Sequence, residues 1–89
     1  MYTVNILDFW GAVKSTQKFR SVARARGFML NLALDGGKAE MGDYYIAGMP
    51  RSAESRYPMD VTEQIRKDGI WTVTRRLVAV SPTDYRATN

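Results

Sequence analysis

The 89-residue chain contains neither histidine nor cysteine. Without histidine it lacks the usual proton shuttle at neutral pH and the commonest metal ligand. Without cysteine it has no disulfide, no thiolate nucleophile and no Cys/His zinc site. A nucleophile paired with a histidine base is therefore excluded. Proline is sparse, with three residues, and long apolar runs are absent. The longest, Phe28 to Leu34, is interrupted by Asn31, far short of the ~20 residues a membrane span needs. The N-terminal stretch MYTVNILDF has no basic segment leading into an apolar one, so no secretory signal is expected and a soluble cytoplasmic protein is the expectation.

What is present suits a small globular domain. Hydrophobic residues make up 45% of the chain and aromatics 11%, too much for a disordered segment. The length predicts one domain, residues 1–80, with 81–89 as a frayed tail, and a core small enough that two copies could share it. The net charge of +4 is unevenly placed. Between Phe9 and Leu34 lie Lys14, Lys18, Arg20, Arg24 and Arg26 with no acid, so the remainder of the chain sums to −1. Such asymmetry points to an anionic partner or simply to a solvated basic face.

Tyr2–Phe9 alternates as a strand, Trp10–Gly11 marks a turn, and Ala12–Arg20 returns as a second strand with Lys14, Lys18 and Arg20 on one face. Ser21–Gly37 satisfies two periodicities. As a helix it is capped by Ser21 and ended by Asp35-Gly36-Gly37, with Val22, Ala25, Met29, Leu32 and Ala33 on one face. Arg26 then falls within the apolar face and must snorkel, while Gly27 costs ~1 kcal/mol in a helix interior. As a strand, Phe28, Leu30, Leu32 and Leu34 alternate with more polar neighbours. Composition favours the helix, since the run has only one β-branched residue, Val22.

Lys38–Met49 predicts a further strand, ended by Pro50, and Arg51–Pro58 an exposed loop. Asp60 and Glu63 suit the capping box of a short helix over Val61–Asp68, closed by Gly69. Ile70–Val80 alternates as a strand. The expected fold is therefore α+β, in the order β-β-α-β-α-β, an antiparallel sheet of about four strands with one or two helices on one face. A small all-β barrel is the alternative if Phe28–Leu34 is a strand.

Two carboxylate groupings invite a chemical reading, and each has a simpler explanation. Asp60 and Glu63 suit capping better than acid–base catalysis. Asp35, Glu40 and Asp43 around the Gly-Gly turn lack the spacing of a calcium loop. No enzyme, cofactor or metal is expected. Arginine, tyrosine, tryptophan and methionine are enriched at interface hot spots, and they point to a module that docks on a protein with an acidic surface. Inhibitor, regulator and assembly factor are the roles that fit, including the type of small phage protein that acts on host machinery such as a defence system. The candidate contact residues are Lys14, Lys18, Arg20, Arg24, Tyr57, Trp71 and Arg75. The alternative is a basic module for single-stranded DNA or RNA, its cations set beside Trp10, Tyr44, Tyr45, Tyr57 and Trp71.

Overall fold

A computed structural model of the chain describes residues 1–88. Its elements are β1 (Tyr2–Leu7), β2 (Val13–Phe19), α1 (Val22–Leu34), β3 (Lys38–Met41), β4 (Tyr44–Pro50), β5 (Met59–Lys67), β6 (Ile70–Ala79) and β7 (Tyr85–Thr88). All seven strands join one antiparallel sheet in the order β2-β1-β3-β4-β5-β6-β7. The fold is α+β, with a single helix and more sheet than the sequence predicts. It is no barrel, because β2 and β7 lie at opposite edges of an open sheet.

The helix forms where expected. Ser21 is its N-cap, and its hydroxyl oxygen accepts the N–H of Arg24 at 3.0 Å, satisfying one of the free donors of the first turn. Ala25, Met29, Ala33 and Leu34 are buried against the sheet, whereas Val22, expected on that face, is exposed. Arg26 snorkels as its position demands, with its guanidinium 4.4 Å from the centroid of the Tyr44 ring. The chain leaves the helix through Gly36, whose φ of +90° suits glycine.

The sheet face beneath the helix carries Val4, Ala39, Ile46, Met59, Val61, Leu77 and Ala79, which form the core together with the helix. Gly48 makes that approach possible. A Cβ at this position would fall 1.7 Å from the carbonyl oxygen of Ala33, so only glycine lets the end of α1 lie on β4. Its N–H also donates to the Gly37 carbonyl at 2.9 Å.

Three expectations need correction. The second helix, Val61–Asp68, is strand β5, because Met59 and Val61 alternate into the core while Asp60 and Thr62 face away. The Asp68-Gly69 pair ends no helix. Both residues have positive φ, 53° and 76°, as a type I′ hairpin turn between β5 and β6 requires. The strand expected over Lys38–Met49 is a hairpin of β3 and β4, turning at Gly42-Asp43 with Gly42 at φ +60°. Finally, Tyr85–Thr88 is no frayed tail, because it pairs with β6 through Ala79↔Tyr85 to Arg76↔Thr88. The connection is held by Ser81, whose hydroxyl oxygen accepts the N–H of Asp84 at 3.0 Å. Asn89, the last residue of the expected tail, lies outside the described residues.

Candidate docking face

Among the described residues one helix covers one side of the sheet and no layer lies on the other. Strand alternation and the observed registers place Thr3, Asn5 and Leu7 of β1, Lys38 and Glu40 of β3, and Tyr45, Ala47 and Met49 of β4 on this open face. Gln64 and Arg66 of β5 and Trp71 and Val73 of β6 continue it.

The centre of the open face is a cleft of about 330 Å³ lined by Leu7, Gly11, Glu40, Tyr45, Gln64 and Trp71. Tyr45 and Trp71 meet edge to face across it, with ring centroids 6.1 Å apart and planes at 65°. The Arg66 guanidinium lies 5.3 Å from the centroid of the Trp71 ring. Asp43 fixes that guanidinium, accepting from Nε at 3.0 Å and from Nη2 at 2.8 Å. Burial, and after it the Glu40 carboxylate, raise the Tyr45 phenol above the ordinary tyrosine range, so it is neutral at physiological pH.

One wall of the cleft is the β1–β2 turn. The Asp8 carboxylate accepts the N–H groups of Trp10 and Ala12, each at 2.9 Å, and Gly11 supplies φ +87°. This pinned turn presents Phe9 and Trp10 to solvent, 73% and 86% exposed, as an edge-to-face pair. The Lys38 ammonium donates to the Phe9 carbonyl at 3.1 Å and sits over its ring. Two large aromatics held outward by a rigid turn are uncommon without something to contact.

The expected contact residues do not form one patch. Lys18 lies on the open face opposite Thr3, and Lys14 is the extra residue of a bulge in β2, out of step with Lys18. Arg20 and Arg24 continue this basic corner into the start of α1. All four are exposed and form no ion pair among the described residues. Trp71 belongs to the cleft. The Tyr57 hydroxyl donates to the Leu34 carbonyl at 3.0 Å and fastens the 51–58 loop to the end of α1. Arg75 faces the helix side, donating to Glu63 at 3.2 Å.

Glu63 also accepts from the Tyr44 hydroxyl and, at 3.2 Å, from the Thr74 hydroxyl. Burial first, then the hydrogen bond and charge of Glu63, raise the Tyr44 phenol well above the usual tyrosine range. This carboxylate is fully occupied in holding β4, β5 and β6 together, and Asp60 points to the opposite face, where it pairs with Arg51. Asp35, Glu40 and Asp43 are likewise separated, bound to Arg56, Asn5 and Arg66 respectively. Among the described residues no group of three or more carboxylates is placed to hold a metal ion, and no helix is long and apolar enough to cross a membrane. Comparison of the chain with protein-family models, curated proteins and solved structures finds no match.

Proposed function

We propose that this is a non-enzymatic binding protein that docks on a protein partner, with the open sheet face as contact and the Lys14, Lys18, Arg20 and Arg24 corner attracting an acidic surface. Inhibition, regulation and assembly are the roles such docking serves. The observation that carries this reading is the use already made of the two rings at the centre of the open face, Tyr45 and Trp71, while Phe9 and Trp10 at its border stay exposed. Single-stranded nucleic acid needs exposed ring faces on which bases can stack. Here Trp71 has Arg66 over its ring and Tyr45 turned edge-on against it, while Asp43 neutralises the arginine. The face suits a side chain inserted into the cleft more than a row of stacked bases. The free cations then speed encounter with an acidic partner and set its orientation.

The same unpaired cations favour a second reading, binding of single-stranded DNA or RNA, and one experiment separates the two. The tagged chain is used to capture partners from the source cell with and without nuclease, beside a Tyr45→Ala/Trp71→Ala variant and a Val22→Ala control on the helix side. Docking requires an identified protein that survives nuclease, is lost with the double variant and is retained by the control. Submicromolar binding to single-stranded oligonucleotides that collapses with rising salt overturns it.

A further inference from the structure

The open face ends at β2, and the outer edge of that strand is unpaired. Its seven residues, Val13–Phe19, are exposed on both sides except for Phe19, which packs partly on the core. The edge presents a row of free backbone donors and acceptors, a ready template for another strand. Lys14 and Lys18 lie on this strand and Arg20 just past its end, and among the described residues none of them has a carboxylate within ion-pair distance. The opposite edge, β7, offers only four residues.

We infer that the outer edge of β2 accepts an extended acidic segment of a partner polypeptide, which joins the sheet antiparallel or parallel to β2 as an eighth strand. Charge selects this occupant over a second copy of the chain. Two β2 edges brought together would gather Lys14, Lys18 and Arg20 of both copies with no acid on either strand, and like charges across a strand pair destabilise it. Lysines on an edge strand guard against self-association, and the same charges favour a segment carrying glutamate or aspartate at the facing positions. Because the bulge leaves Lys14 without a partner on β1, the regular pairing stretch is Ser15–Phe19, with Lys14 reaching the end of the added strand. The inference rests on the docking reading only in taking the partner to be a protein.

The test uses the isotopically labelled full chain and a short synthetic peptide in which glutamate alternates with valine. Amide shift changes centred on Val13–Phe19, slowed exchange of the outward amides of β2, and loss of binding when alternate peptide nitrogens are methylated are the expected results. Lys14→Glu with Lys18→Glu weakens the peptide by about tenfold and admits the corresponding lysine–valine peptide. The inference is overturned if the peptide does not bind, if the methylated peptide binds as well, or if ultracentrifugation shows the chain pairing with itself through β2. Binding that Trp71→Ala abolishes overturns it too, since it places the peptide in the cleft and leaves the docking reading standing. A peptide that binds β2 while the Tyr45→Ala/Trp71→Ala variant keeps its captured partner would instead defeat only the open-face reading.

Discussion

Gly48→Ala tests the packing on which both faces of the sheet depend. The added Cβ would fall 1.7 Å from the Ala33 carbonyl oxygen, 2.7 Å from its carbonyl carbon and 3.2 Å from the Gly36 Cα. These are backbone atoms, so no side chain can rotate out of the way. Relief requires the last turn of α1 to lift from β4 by about 1.5 Å, enough to forfeit much of the dispersion contact beneath it. That movement weakens the Gly48 N–H to Gly37 carbonyl bond and the Tyr57 hydroxyl bond to Leu34, and it loosens Met29, Ala33 and Leu34 over Ile46 and Met59. Overpacking of this kind costs about 1–3 kcal/mol and each buried hydrogen bond left unmade about 1–3 kcal/mol, for a total of ~4 kcal/mol where the two bonds are weakened and not lost. A domain of this size has roughly 5–13 kcal/mol to lose. Urea unfolding followed by circular dichroism should show this loss, and thermal unfolding a fall in Tm of at least ~16 °C. A Gly48→Ala protein within about 1 kcal/mol of its parent, an ordinary cost for a point substitution, would refute the close approach of helix and strand.

Gly27→Ala should act oppositely, because a Cβ there meets nothing within 4 Å and φ is ordinary; unfolding should show a gain of about 0.5–1 kcal/mol from helix propensity. Tyr57→Phe removes the hydroxyl that donates to Leu34 and should cost about 1 kcal/mol, with proteolysis in the 51–58 loop rising in parallel. The Tyr44 phenol is raised in the folded state by burial and by Glu63, so the folded protein holds that proton after the unfolded chain has released it. Its contribution is intact below the ordinary tyrosine value of 10.0 and is lost as pH rises above it. Stability should therefore decline more steeply above that pH in the parent than in Tyr44→Phe, and tyrosinate absorbance should show Tyr44 ionising late.

The helix was legible because Ser21, the alanines and arginines, and Asp35-Gly36-Gly37 supply cap, propensity and stop within one segment. Strands β1, β2 and β6 announced themselves by alternation. The failure at β5 has a specific cause. Asp60 and Glu63 have the spacing of a capping box, but neither carboxylate faces a helix N-terminus: Asp60 takes the Arg51 guanidinium on one side of the sheet and Glu63 takes Tyr44, Thr74 and Arg75 on the other. The competing signal was Asp68-Gly69 between two apolar-alternating runs, the strongest short hairpin sequence, and it outweighs a capping pattern. Likewise Gly42-Asp43 marked the turn that divides Lys38–Met49. At the site, Trp71 was readable from the periodicity of β6. Arg66 was not, because a helix over Val61–Asp68 removes the Asp68-Gly69 hairpin whose pairing sets Arg66 opposite Trp71. For Tyr57 and Arg75 composition marks only hot-spot residue types and cannot show the tertiary partners, Leu34 and Glu63, that the fold gives them.

The placement of the acids decides what the surface offers. Thirteen cations stand against nine acids in the sequence, and four of the acids, Asp35, Asp43, Asp60 and Glu63, are committed to arginines outside the Phe9–Leu34 segment. Each of these pairs pins a loop or two neighbouring strands. Asp8 is consumed by the β1–β2 turn and Glu40 by Asn5. Among the described residues no acid pairs with the segment from Phe9 to Leu34, so its positive field is left uncompensated where β2 meets α1. Exposed pairs contribute little stability individually. Their larger effect is to concentrate the net charge at one corner of a sheet whose adjoining face is open, which is where an acidic partner would first be held and from which it could reach both the cleft and the β2 edge.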